Sequence, residues 1–335
     1  MSNWKGKNGP LMIAEIGGNH EGDFAYAKKL TQLAINANVD YIKFQLYSGD
    51  SLVSPIENPI RNQHFKKFEL NHEYYIELAE MCKNAEVGFM ASVWNPEYFA
   101  WIDNYMDIYK IGSGDMTAYP ILEATAKLGK PIILSTGLST MEEVLDAVQF
   151  IQSCNDKYKD PENLSILQCT SMYPIPPDFA HLSVMRSFHE ATGLPVGYSD
   201  HTEGSYALEI AVAMGAQILE FHFTDSREGK EFRDHKVSLT CDEVLELNKK
   251  IALIQRLSGD QKKSPQSVED DHLITFRRAV YPAKDLPSGT VLSTDNLVYL
   301  RPNHGIDARD YRKVIGKKIT RNLRAHERLD WSILE

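Results

Sequence analysis

No stretch of this 335-residue chain is apolar for long enough to cross a membrane. Its first residues, Met1-Ser2-Asn3-Trp4-Lys5-Gly6, are polar where a secretory signal would be apolar. Cysteine is scarce. Cys82, Cys154, Cys169 and Cys241 lie far apart, which excludes a zinc ribbon and a Cys-x-x-Cys redox motif and suits a reducing cytoplasm. Positive charge is also short. With 36 Lys and Arg against 46 Asp and Glu, the net charge of −10 argues against nucleic acid or an anionic membrane as partner, although a pocket can still be locally basic. The Gly-x-Gly-x-x-Gly loop of a doubly wound dinucleotide fold is missing, since Gly17-Gly18-Asn19-His20-Glu21-Gly22 has the wrong spacing.

What is present is alternation. Short β-rich runs at Leu11–Ile16, Asp40–Gln45, Val87–Ser92, Asp107–Ile111, Pro131–Thr136, Leu164–Thr170, Pro195–Ser199 and Ile218–Phe223 are followed by segments of helical periodicity, among them Phe24–Ala37, Tyr74–Ala85, Met141–Ile151 and Cys241–Leu257. This pattern predicts an α/β chain built as a (β/α)8 TIM barrel over residues 1–260. A polar, turn-rich linker over 261–275 follows, then a small β-rich domain over 276–335.

In a parallel barrel, chemistry belongs where strands end and the following loops begin. Reading those ends in order gives Asn19-His20-Glu21, then Lys43 and Gln45 on one face of a strand, then Lys110 with Gly112-Ser113-Gly114-Asp115. Further along come Ser135-Thr136-Gly137, Thr170-Ser171-Met172-Tyr173, Ser199-Asp200-His201, and finally Glu220 and His222. Hydroxyls at Ser113, Ser135 and Ser199, glycines that let the backbone approach, and the charges of Lys43 and Lys110 suit a phosphate and a carboxylate. His201 and His222 end neighbouring strands, so two imidazoles can share one labile divalent ion; such a donor set suits a catalytic metal better than a structural zinc.

Together these segments resemble the sialic acid synthase family, the N-acetylneuraminate synthases with their legionaminate and pseudaminate relatives. The resemblance rests on Ile13-Ala14-Glu15-Ile16-Gly17-Gly18-Asn19-His20-Glu21-Gly22, Lys43-Phe44-Gln45, Tyr109-Lys110-Ile111-Gly112-Ser113-Gly114, Ile133-Leu134-Ser135-Thr136-Gly137, Cys169-Thr170-Ser171-Met172-Tyr173-Pro174, Tyr198-Ser199-Asp200-His201-Thr202 and Glu220-Phe221-His222-Phe223-Thr224. It continues into Leu300-Arg301-Pro302-Asn303-His304-Gly305-Ile306, which looks like that family's antifreeze-like (SAF) C-terminal domain.

The resemblance implies condensation of phosphoenolpyruvate with an N-acetylated aminosugar aldehyde, N-acetylmannosamine or a 2,4-diacetamido hexose, to a nine-carbon 2-keto-3-deoxy sugar acid and phosphate. It places a divalent metal, Mn2+ first and Mg2+ or Co2+ as alternatives, on His201 and His222. Lys43, Lys110, Ser113, Ser135, Ser171, Tyr173, Ser199 and Glu220 match substrate-binding positions, and Glu21, Gln45, Asp115 and Asp234 match catalytic ones. Arg301 matches an arginine that reaches the sugar's acyl group in the partner of a domain-swapped homodimer.

Three departures bear on the substrate: Asp115 stands where some members have Glu, Ser171 where some have Asn, and Phe221 where a basic residue is common. Phe221 points away from His222 on its strand, which predicts barrel–helix packing for it. Two other functions stay open at this stage. One is a Schiff-base aldolase using Lys43 or Lys110, which leaves the histidines without a task. The other is a non-catalytic carbohydrate-binding protein, which leaves the polar strand ends without one.

Overall fold

The computed structural model describes residues 2–335. Its contacts divide the chain into two compact units, Met1–Gly259 and Asp260–Glu335.

The first unit holds eight parallel strands: β1 (Gly9–Glu15), β2 (Tyr41–Leu46), β3 (Gly88–Val93), β4 (Tyr109–Ile111), β5 (Ile132–Ser135), β6 (Leu164–Cys169), β7 (Val196–Asp200) and β8 (Ile218–His222). They pair in the order 3-2-1-8-7-6-5-4. A parallel bridge between Phe89 and Met106 joins β3 to the chain entering β4 and brings the sheet round to closure. The TIM barrel expected from the alternation is therefore the fold. β1 lies beside β8, as a doubly wound open sheet would not have it.

The main helices are α1 (Phe24–Asn36), α2 (Pro59–Phe68), α3 (His72–Asn84), α4 (Tyr119–Lys127), α5 (Met141–Cys154), α6 (Val184–Thr192), α7 (Tyr206–Ala213) and α8 (Cys241–Ser258). Their ends have local causes. Asp23 caps α1 by accepting from Tyr26 N. Thr140 with Glu143 and Thr240 with Glu243 form capping boxes at α5 and α8. Gly193 ends α6 at φ 69°, a left-handed position that glycine takes without a Cβ penalty. Among the described residues no helix is long and apolar enough to cross a membrane.

Strand alternation sorts the core into two shells. Leu11, Ile13, Met90, Ile108, Ile133, Leu167 and Ile218 fill the barrel's interior, and Trp4 packs on them from the N-terminal side. Its indole N–H donates to the Pro161 carbonyl at 2.7 Å. The opposite strand face, with Met12, Ala14, Ile42, Phe44, Leu219 and Phe221, packs under the helices. Phe221 is thus where its strand position predicts. The lower barrel is filled largely by aliphatic side chains, with Ser165 buried among them, and the charged inward residues gather at the strands' C-terminal end.

The segment 261–275 carries a 3-10 turn at Ser267–Glu269 and a short helix at Asp270–Thr275. Beyond it, β9 (Ala279–Pro282) pairs antiparallel with β10 (Leu297–Leu300). Bridges Leu286–Leu323, Val291–Lys318 and Ile319–Leu334 fold the rest of the second unit around a core of Val280, Leu286, Leu292, Ile306, Val314, Ile319 and Leu329.

Candidate active site

Ladder register assembles the site. Glu15 is paired in the sheet with Lys43 on one side and with His222 on the other. Ser199 is paired with Glu220. Because inward positions recur every second residue, Glu15, Lys43, Gln45, Glu220 and His222 all sit on the inner face directly above the aliphatic layers.

Four buried charges run across this floor. Glu15 Oε2 accepts from Lys43 Nζ at 2.6 Å, and Gln45 Nε2 donates to Glu15 Oε1 at 2.7 Å. Lys43 and Lys110 each approach Glu220 at 3.3 Å, and Lys110 Nζ donates to Ser135 Oγ at 2.7 Å. Burying such ions costs several kcal/mol each unless they pair. The pairing here is alternating and complete, which holds the charges in place.

Their proton affinities differ. Burial opposes charge on Lys43, but Glu15 and Glu220 outweigh it and raise its pKa. Burial, with Lys43 nearby, lowers that of Lys110. Burial opposes charge on Glu220 too, yet Lys110 and Lys43 hold it well below the usual carboxylate range. Burial, with Glu220 nearby, raises Glu15 despite its ion pair with Lys43. Of the two carboxylates, Glu15 is the one poised to take up a proton.

A hydroxyl cradle adjoins the lysines. Gly137 N donates to Ser113 Oγ at 2.9 Å. A Cβ on Gly137 would lie 2.3 Å from Ser171 Oγ and 2.9 Å from Ser113 Oγ, so only glycine lets these hydroxyls converge. Ser135 and Ser199 are buried beside them.

The two imidazoles stand together, with ring centroids 5.2 Å apart. Tyr173 packs against both, at 4.0 Å from His201 and 5.6 Å from His222. His201 Nδ1 donates to the Thr170 carbonyl at 2.9 Å, which leaves Nε2 to offer a lone pair. Burial opposes a proton there, but Cys169, with Sγ 3.8 Å from Nδ1, raises the ring to about 9. His222 Nδ1 is buried without a hydrogen-bond partner, 3.9 Å from Asp234 Oδ2. Burial and the neighbouring His201 hold the His222 ring well below its ordinary value, hence neutral. Two imidazoles with an orphaned ring nitrogen fit a divalent cation. Among the described residues no group of three or more His, Cys, Asp or Glu is arranged to hold a metal, so such an ion would keep positions for water or substrate.

The remaining expected residues surround this centre. Burial lifts Asp115 to about 6. Asp234 is buried and bonded by Arg233 Nε at 3.2 Å. Glu21, at φ 52°, has Oε1 3.2 Å from His235 Nε2. All of the expected residues in the first unit line one cavity of about 1400 Å³. Arg301 belongs to the second unit, where its guanidinium lies 5.6 Å from the Phe276 ring centroid.

The structure adds residues the motif reading passes over. Glu15 begins the ion row; its signal in the sequence is a carboxylate two residues after Ile13 on an inward strand face. Cys169 touches His201. His235, fully buried, bonds both Glu21 and Thr224 Oγ1, the latter at 2.7 Å. Helix α2 and the turn before it build one wall of the cavity.

A closed parallel barrel with buried lysines, glutamates and paired imidazoles at its C-terminal mouth is the architecture of a TIM-barrel enzyme. The NeuB family profile matches residues 30–263 and a SAF domain matches residues 277–335. The chain belongs to the NeuB family. It is 34% identical to the N,N'-diacetyllegionaminic acid synthase of Campylobacter jejuni, over 95% of this chain and 98% of that protein. It is 30% identical to the human N-acetylneuraminate-9-phosphate synthase, over 94% of this chain and 90% of that one. The crystal structure of the N-acetylneuraminic acid synthetase of Leptospira borgpetersenii, in complex with citrate, superposes with a TM-score of 0.73 at 30% identity, covering 79% of this chain and 91% of that one.

Proposed function

We propose that this protein is a carbon–carbon bond-forming synthase that condenses phosphoenolpyruvate with the open aldehyde form of an N-acetylated aminosugar, N-acetylmannosamine or a 2,4-diacetamido hexose, releasing phosphate and a nine-carbon 2-keto-3-deoxy sugar acid. The observation that carries the reading is the continuous row Glu15–Lys43–Glu220–Lys110–Ser135, joined through the strand ladder to His222. The named activities of the relatives support it.

Lys43 and Lys110, with Ser113, Ser135, Ser171 and Ser199, bind the phosphate and carboxylate of phosphoenolpyruvate. Its methylene carbon is thereby aimed at the acceptor's carbonyl carbon. His201 and His222 would hold a divalent ion, Mn2+ first, which supplies Lewis-acid polarisation of the aldehyde oxygen when bound. Tyr173 fixes both rings by packing. The new carbon–carbon bond leaves positive character on the former enol carbon. Water adds there and gives one proton to Glu15, whose raised affinity suits the task, and that proton passes on to the alkoxide left on the former aldehyde oxygen. Gln45 orients Glu15, and Glu220 keeps both lysines charged and in register. The carbon–oxygen bond to phosphate then breaks; phosphate leaves with the electron pair and takes the hydroxyl's remaining proton, and the carbon becomes the product's ketone. Glu21, Asp115 and Asp234 line the acceptor side of the cavity. The enzyme works in the cytoplasm, a reading that its four free cysteines support. It acts as a domain-swapped homodimer in which Arg301 serves the sugar's acyl group.

One observation favours a second reading. Burial loosens the proton of Lys110, as a Schiff-base aldolase would need. Incubation with phosphoenolpyruvate, Mn2+ and a panel of acetamido sugars decides between them. Acceptor-dependent phosphate release supports the synthase; a borohydride-trapped lysine adduct without phosphate release rejects it.

A further inference from the structure

Beside the cavity lies a buried polar knot that none of the steps above uses. It ties together two loops, residues 19–22 after β1, which carry Glu21, and residues 223–239 after β8, which carry Asp234. Asn19 Nδ2 donates to the Phe223 carbonyl at 2.9 Å and to Ser238 Oγ at 2.8 Å. Ser238 Oγ donates in turn to the Asp234 carbonyl at 2.7 Å. His235 is the second crossing point, with Nδ1 2.7 Å from Thr224 Oγ1 and Nε2 3.2 Å from Glu21 Oε1. Asn19, His235 and Ser238 are all buried, so these bonds are made without competition from water.

The partners dictate the form of the ring. Burial lowers the proton affinity of His235, which leaves the imidazole neutral, with one N–H and one lone pair. A carboxylate only accepts, so the proton sits on Nε2 and is donated to Glu21. Nδ1 is then the acceptor, and the Thr224 hydroxyl donates to it. One tautomer and one orientation result, and the N–H has a fixed aim. Glu21 needs such a hold. Its backbone is left-handed at φ 52°, a region that costs any residue with a Cβ. Its side chain is 35% exposed, against 1% for that of His235. The carboxylate thus stands between the knot and the cavity, with Oε1 taken by the ring and Oε2 left for a hydroxyl of the ligand.

We infer that His235 is a positioning residue for the acceptor sugar: its Nε2–H, aimed by Thr224, holds the Glu21 carboxylate where that carboxylate accepts a hydroxyl of the sugar. The inference rests on the condensation reading and adds to it a buried group that acts only through Glu21.

Two amides separate the two bonds of the ring, with phosphate release in Mn2+ as the assay. His235→Gln puts an amide N–H where Nε2 stands and keeps the bond to Glu21, whereas His235→Asn reaches only Thr224. His235→Asn should raise the KM for the acceptor at least about tenfold, as for one lost charge-assisted hydrogen bond, with kcat and the KM for phosphoenolpyruvate within about threefold of the parent. In His235→Gln the acceptor's KM should stay within about threefold of the parent. Added to Glu21→Ala, His235→Asn should raise it no further, because the ring acts through that carboxylate alone. Equal rises in the two amide variants, a rise for phosphoenolpyruvate as large as for the acceptor, or a further rise on top of Glu21→Ala overturns the inference while the condensation reading stands. The parent protein, labelled with ¹⁵N-histidine, should show His235 by NMR as the Nε2–H tautomer; a ring protonated on Nδ1 alone overturns the inference whatever the variants do. A parent that releases no phosphate with any acetamido sugar overturns the condensation reading and this one with it.

Discussion

Glu15 Oε2 lies 2.6 Å from Lys43 Nζ at the C-terminal end of neighbouring barrel strands, both groups buried. Lys43 keeps its charge because of this contact and that with Glu220, while burial and the neighbouring Glu220 raise the proton affinity of Glu15 in spite of Lys43. The pair therefore sets a fixed cation beside a carboxylate able to accept a proton.

Glu15→Gln keeps the size and the hydrogen bond to Lys43 but cannot hold the proton. Turnover should drop by roughly 10²–10⁴-fold, with phosphoenolpyruvate still bound. Glu21→Gln, which disturbs only the contact to His235, should lose far less. Steady-state phosphate release for the two variants checks this; a Glu21→Gln loss as large as that of Glu15→Gln would contradict the role given to Glu15.

Gly137→Ala places a methyl group 2.3 Å from Ser171 Oγ and 2.9 Å from Ser113 Oγ. The hydroxyls must separate, so the KM for phosphoenolpyruvate should rise at least about tenfold, as for one lost charge-assisted hydrogen bond. The acceptor's KM and the circular dichroism spectrum should not change. An unaltered KM for phosphoenolpyruvate would remove Ser113 and Ser171 from its binding.

Asp115 is lifted by burial from the usual 3.8 to about 6. The fold thus favours its protonated form, and that contribution is full below about pH 4 and lost as pH rises through 6. The ionised carboxylate costs on the order of 3 kcal/mol above that window. Asp115→Asn does not titrate. Its Tm relative to the parent protein should rise between pH 4 and pH 7; a difference independent of pH would show that Asp115 ionises normally.

How much of this is legible in the sequence depends on whether the partners share an element. The eight strands show as apolar runs because both of their faces are buried, one in the barrel and one under the helices. The serines and histidines show because each follows directly on such a run. Glu15 hides inside Leu11–Ile16, and its meaning comes from Lys43, 28 residues away, through strand register alone. His235, in Arg233-Asp234-His235-Lys236, has the composition of a solvated turn; only the fold buries it against Thr224 and Glu21. Helix α2 buries only Asn62 and Phe68 and leaves its other apolar residues toward the cavity, so it lacks the periodicity that marks a helix packed on a core.

Metal removal should abolish turnover, and Mn2+ should restore it. His222→Ala should lose bound metal while its circular dichroism spectrum stays that of the parent, since the ring lines the cavity above the packed aliphatic layers rather than within them. Metal content by mass spectrometry reads this independently of activity; a His222→Ala protein with undiminished metal would place the ion elsewhere.

The most direct measurement labels both reacting carbons. With 3-¹³C phosphoenolpyruvate, a 1-¹³C acetamido sugar and Mn2+, the protein should yield a product showing one-bond carbon–carbon coupling between the two labels, in step with phosphate release. Phosphate formed without that coupling, or labels that stay on separate molecules, would contradict the condensation.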